Sequence, residues 1–211
     1  MNLKMKSIKV ITSVICASMV FALAGCQKDT SETSEPSVSV VVSHEYLEEY
    51  DTFEVTSSDV VDGVWLDVIS NTELGENASP QLSWEPVEGA EEYAIYMVDR
   101  NSMGFLHWKS SGITDTELPR GWAPKLTEYH GPHVGHGYTH IYDVYVIALK
   151  APVERLKGGL NSINPKFEEY IEGLDTDING NTGNIIAVGK ISGTYTDCRF
   201  RDTEPTGAYI M

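Results

Sequence analysis

A chain of 211 residues with 41% hydrophobic and 22% charged side chains has the make-up of one globular domain with extensions. Its 31 acidic against 15 basic residues, a net charge of −16, leave no cationic face to displace counterions from phosphates, so nucleic-acid binding is a poor reading. Three cysteines do not make a disulfide scaffold, and the sequence holds no Gly-rich nucleotide loop, no His-Glu-x-x-His pair and no Gly-x-Ser-x-Gly elbow.

Lys4, Lys6 and Lys9 form a basic leader, followed by an uncharged run from Val10 to Gly25. The run is shorter than the roughly 20 residues that a spanning helix needs, and it fits the apolar core of a secretory signal over residues 1–25. It ends in Leu23-Ala24-Gly25-Cys26, which resembles a bacterial lipobox. Small residues suit a peptidase at the membrane face, and the Cys26 thiol is the nucleophile that accepts the lipid. Processing there removes three lysines and no acid, taking the charge to −19. Cys16 leaves with the signal, so an internal disulfide in the mature chain is not expected. Acyl chains would hold the protein on the extracytoplasmic face of the cell membrane, with the acidic body repelled by anionic head groups.

Residues 26–52 read as the lipidated Cys and a flexible polar linker, with weak support for a short helix over Ser43 to Tyr50. Residues 53–211 are long enough for one core that buries roughly 70% of the unfolded surface. Val64 to Ile69 predicts a strand. Tyr93 to Val98 is apolar on both faces, as in a buried strand. Ile141 to Leu149 is long and rich in β-branched and aromatic residues, and Ile185 to Tyr195 is a further strand interrupted by Gly189 and Gly193. Asn164 and Pro165 predict the start of a helix whose Phe167, Tyr170, Ile171 and Leu174 share one face.

Six motifs stand in order: Ser79-Pro80-Gln81-Leu82-Ser83-Trp84, Tyr93 to Asp99, Leu106-His107-Trp108, Tyr129-His130-Gly131-Pro132, His140-Ile141-Tyr142 and Ile191-Ser192-Gly193-Thr194-Tyr195. Their order and spacing resemble the phosphatidylethanolamine-binding protein family, in its bacterial Raf-kinase-inhibitor-like branch. The resemblance runs from about Phe53 to Tyr195. It implies a mainly β fold, an antiparallel β-sandwich with one or two peripheral helices. It also implies a small pocket at one end of the sheet, taking phosphate or phosphorylated head groups, whose residues fall here on Asp99, His107, Gly131, Pro132, His140 and Tyr142. The chemistry agrees with that assignment: imidazolium from His107 and His140, the Tyr142 hydroxyl and a backbone N–H near Gly131 are donors for an anion, and Asp99 would favour a protonated imidazole beside it.

The chain departs from the family pattern after the strand. Asp99-Arg100-Asn101-Ser102-Met103 stands where Asp-Pro-Asp-x-Pro is usual. Without the prolines the loop is expected to be less constrained, and Arg100 adds a cation of its own.

Other readings of the same residues are weaker. His130, His133, His136 and His140 fall within eleven residues, yet Gly131, Pro132, Gly135 and Gly137 make that segment a loop, so the spacing fixes no metal geometry. Asp175-Thr176-Asp177-Ile178-Asn179-Gly180-Asn181 resembles half a calcium loop, but position twelve is Ile186 instead of Glu, and a polar turn is the simpler reading. No serine or cysteine is forced into line with a base, so catalysis is not expected and no cofactor is implied. The expected function is a membrane-tethered binding protein for a small anion or phosphorylated head group. The alternative is a protein-interaction module, an inhibitor or regulator of an extracytoplasmic partner, with a vestigial pocket.

Overall fold

A strand that is apolar on both faces needs cover on both, and this requirement organises the molecule. The computed structural model describes residues 41–198. Along the chain they form β1 (Asp51–Phe53), β2 (Val55–Thr56), β3 (Val60–Val61), β4 (Val64–Trp65), β5 (Leu82–Trp84), β6 (Glu92–Asp99), β7 (Phe105–Ile113), β8 (Glu117–Leu118), β9 (Thr139–Leu149), α1 (Phe167–Glu172) and β10 (Ile185–Thr196). Short 3₁₀ turns lie at Glu45–Glu49, Asp67–Ile69 and Gly173–Asp175.

A seven-stranded sheet runs β3-β4-β10-β9-β6-β7, with β1 also on β10; β2, β5 and β8 form a separate small sheet. Every residue of β6 is buried. Tyr93, Ile95 and Met97 share one apolar cluster with Val144 and Val146 of β9 and with Val55, Leu82, Trp84 and Leu118 of the small sheet. Ala94, Tyr96 and Val98 point the other way, into a cluster with Tyr145, Ile147, Leu149, Leu156, Phe167, Ile171 and Leu174. The period of two that sends alternate side chains to opposite faces thus puts the small sheet on one side and α1 on the other.

The resemblance implies antiparallel sheets, and the pairings of β10 with β9, β9 with β6 and β6 with β7 are antiparallel; the large sheet is nonetheless mixed. β10 lies antiparallel to β9 along its length, but on its other side it takes β1 in parallel at Ala187–Gly189 and β4 in parallel at Thr194. The two glycines that interrupt β10 make this possible. A Cβ on Gly189 would stand 2.4 Å from Val55 and 2.7 Å from Phe53, and one on Gly193 2.8 Å from the Trp65 indole. The absent side chains give those rings their seats.

Other elements differ in extent. The strand predicted over Val64 to Ile69 stops at Trp65, because the chain turns into a 3₁₀ segment that buries Ile69 and aims its carbonyl at the Tyr129 hydroxyl, 2.8 Å away. The predicted helix face is as expected, but Asn164 does not cap it with its side chain. Its amide instead ties the preceding loop, bonding Gly159 N (2.8 Å) and Ser162 O (2.6 Å). The ordered body begins upstream of Phe53: Leu47 is buried and β1 is paired with β10. Cys198 is disulfide-bonded in the full 211-residue chain, which still carries Cys16 and Cys26, both outside the described residues; the expectation of no internal disulfide concerned the mature chain after processing at Cys26.

The outer edge of β7 is hydrogen-bonded to two loops. Lys109 N donates to Glu128 O (3.0 Å), His130 N to His107 O (2.8 Å), Leu106 N to Ser162 O (3.0 Å) and Asn161 N to Leu106 O (2.7 Å). These contacts bring residues 128–135 to the end of the sheet where the conserved-type motifs predicted a pocket.

Candidate functional site

Strand order alone assembles most of the site. β9, β6 and β7 are neighbours, and Asp99 pairs with Tyr142 on one side and Phe105 on the other. Residues two apart on a strand share a face, so His140 joins Tyr142 and His107 joins Phe105. Asp99, His107, His140 and Tyr142 therefore line one cavity of about 230 Å³, together with Ser102, Phe105, His133 and Val134.

Gly131 and Pro132 are not on its wall. Both are buried beneath the loop, where the Gly131 N–H donates to Asn77 Oδ1 (2.7 Å) and Pro132 O accepts from Asn71 N (2.9 Å). The turn amide predicted as an anion donor is thus already committed. Glycine is required at 131 by space: an added Cβ would stand 2.1 Å from Ile69 O.

His107 is 2% exposed, and its Nδ1–H donates to His130 O at 2.7 Å. Burial, acting against the backbone carbonyls of His130 and Gly131, lowers its pKa to about 4. At neutral pH it is a neutral imidazole whose Nε2 carries a lone pair, which corrects the imidazolium predicted there. Asp99 is saturated. Its Oδ1 accepts from Asn101 N (2.8 Å), and its Oδ2 accepts from Ser102 Oγ (2.8 Å) and faces His140 Nδ1 at 2.6 Å. The Asp99–His140 pairing expected from the motifs is present through Nδ1, and Nε2 is the ring nitrogen that Asp99 does not engage.

Tyr142 is fully buried and its hydroxyl has no hydrogen-bond partner among the described residues. Burial first, then the Asp99 charge, drives its ionisation far above the usual phenol range, so it stays a neutral donor. An orphaned buried hydroxyl costs free energy on the order of 1–3 kcal/mol, which a ligand oxygen would recover.

The departures after β6 have a structural resolution. Hydrogen bonds fasten the loop in place of prolines: Arg100 N to Ile141 O (2.9 Å), Ile141 N to Asn101 Oδ1 (2.8 Å) and Phe105 N to Ser102 O (3.1 Å). Arg100 adds no cation to the cavity. Its Nε donates to Val42 O (2.9 Å) and lies 3.6 Å from Asp143 Oδ2, on the opposite face of the sheet.

The histidine-rich segment is a loop, as predicted. His133 meets His107 and His130 edge-on, with ring centroids at 5.3 and 4.9 Å, and no group of three or more side chains that could hold a metal ion occurs among the described residues. In the Asp175–Asn181 turn the carboxylates bond the chain itself: Asp177 accepts from Asn179 N, Asn181 N and Asn181 Nδ2, each at 2.8 Å, and Asp175 from Gly183 N and Ile185 N, each at 3.1 Å. Ser102, Phe105 and His133 are site residues that the motifs missed. Phe105 was recoverable from its place two residues before His107; the other two lie in loops with no periodicity to read.

The sequence model of the family described as phosphatidylethanolamine-binding protein matches residues 56–196. A search of curated proteins finds no match. Among solved structures, YbcL of E. coli, described as a new member of the mammalian PEBP family, is 25% identical with a TM-score of 0.51, covering 68% of this chain and 98% of that one. CT736 of Chlamydia trachomatis, a phosphatidylethanolamine-binding protein homologue, is similar in fold at 20% identity and a TM-score of 0.50, covering 70% of this chain and 99% of that one. With that match spanning most of the body and the four strand-borne residues meeting in one cavity, the chain belongs to the phosphatidylethanolamine-binding protein family.

Proposed function

We propose that this protein is a membrane-tethered, extracytoplasmic binding protein whose cavity accepts a small anion or a phosphorylated head group. The observation that carries the reading is the Tyr142 hydroxyl, buried and without a partner, in a cavity that it shares with Asp99, His107 and His140. A phosphate in its singly protonated form suits this set. Its oxygens accept from Tyr142 and, with a second proton on that ring, from His140 Nε2, while its P–OH donates to the neutral His107 Nε2. The family fold supports a binding role in general.

The same geometry favours binding over turnover. Ser102 Oγ donates to Asp99 and lies 3.4 Å from His140 Nδ1, the ring nitrogen that Asp99 already holds. An activated serine needs the opposite nitrogen. The tether rests on the Lys4–Lys9 leader, the uncharged run and Leu23-Ala24-Gly25-Cys26.

Titration with phosphate and with phosphoethanolamine, followed by NMR, tests the cavity. Shifts confined to His107, His140 and Tyr142 are expected, with affinity about tenfold lower in Tyr142→Phe. No shifts, or shifts on another face, would sink this reading and leave a protein-interaction module. For the tether, incorporation of a fatty-acid probe should vanish in Cys26→Ser.

A further inference from the structure

Residues 42–50 precede the segment that matches the family, yet they are fastened to the body by a polar chain that runs through its interior. Val42 N donates to Arg100 O (2.8 Å), and Arg100 Nε returns a bond to Val42 O (2.9 Å). His44 Nδ1 donates to Tyr145 Oη (2.9 Å), which donates to Asp143 Oδ2 (3.0 Å); Ser192 Oγ bonds Asp143 Oδ1 (2.5 Å). Asp143 is fully buried, and Arg100 is its counter-ion at 3.6 Å. Leu47 then enters the apolar cluster beside α1.

The chain of bonds needs a proton on His44 Nδ1, which a neutral ring supplies. Its ring is enclosed by Tyr46, Tyr145 and Phe167, with centroids 5.0–6.0 Å away. A second proton would bury a charge among those rings. Asp143 of β9 would attract that charge, while Arg100 after β6 and Lys190 of β10 would repel it; α1 offers it only Phe167, its Glu168 and Glu172 acting on Tyr46. Burial outweighs all of these and lowers the His44 pKa to about 4.

We propose that residues 42–50 are a proton-sensitive strap, joined through Arg100 to the loop that carries Asp99, and that acidification unseats strap and loop together. Arg100 is the positioning residue: one face of it holds Val42, and its backbone holds Ile141 beside the cavity. Asp143 and Arg100 form an ion pair that the usual proline of the family at position 100 could not make, so the departure from pattern gains a purpose here.

Hydrogen exchange of the full chain, corrected for intrinsic rates and compared at about pH 7 and about pH 5, tests this. Protection of residues 42–50 and of 100–104 should fall together by about tenfold or more at the lower pH, while β9 stays the more protected, limited by global unfolding. In His44→Phe both segments should stay protected at both pH values. In Arg100→Gln, and less so in Arg100→Lys, both should exchange fast already at pH 7. The proposal is overturned if the strap stays protected in acid, if His44→Phe keeps the strap's pH response, if residues 100–104 stay closed while the strap opens, or if β9 exchanges as fast as they do.

Discussion

At the scale of single residues, Gly131 and His107 show how a motif and its role part company. Gly131 stands where the family pattern demands it, but the demand is for space against Ile69 O and a bond to Asn77, not for contact with a ligand. Gly131→Ala should therefore cost about 3 kcal/mol of stability in urea denaturation and displace the loop that carries His133. His107 was legible as a site residue because it falls on the right strand. Its charge was not, because burial depends on the loop folded over it, and no local pattern reports that. Nitrogen-15 NMR of the imidazole at about pH 6 should show the neutral form protonated on Nδ1; an imidazolium there would remove the acceptor on which the protonated-phosphate reading depends.

At the scale of elements, three long strands were readable, while the nine-residue β7 and the short strands were not. β6, β9 and β10 declare themselves through sustained apolar or alternating patterns. Of the two-residue strands, β2, β4 and β8 pair with distant chain segments, and β3 pairs only with its hairpin neighbour β4. Loops are held by buried polar pins equally invisible to periodicity. The chief of these is Asp59, fully buried, which accepts from Gln81 N (2.8 Å) and from the Arg120 guanidinium, Nε at 3.0 Å. Arg120→Ala leaves that carboxylate without its counter-ion and should cost about 3 kcal/mol, read as a lower midpoint of thermal unfolding. Arg120→Ala/Asp59→Asn should recover part of the loss. The turn at Asp175–Asn181 is a second case: with its carboxylates bonded to backbone amides, millimolar calcium should leave the melting temperature unchanged, and Asp177→Ala should lower it.

At the scale of the molecule, pH sensitivity follows from two buried imidazoles. His44 and His107 both have pKa values lowered to about 4, while the unfolded chain takes up those protons near 6.5. The stabilisation is complete above about pH 6.5 and is lost as pH falls toward 4. By pH 5 each imidazole should have withdrawn about 2 kcal/mol, seen as a drop in the urea midpoint that His44→Phe roughly halves. The motifs in order carried the family and the cavity; the mixed sheet, the fastening of the N-terminal segment and the disulfide at Cys198 depend on chain partners that no motif names.

The sealed border of β7 carries a last consequence. A sheet with a bare flank invites a stranger's backbone to continue it, through fibril growth or capture of an extended peptide. Here amides and carbonyls on that flank are spent on the protein's own loops, and the opposite border is a strand of only two residues. Whatever meets this protein along the β7 border must recognise side chains, since so much of the main chain there has nothing left to offer.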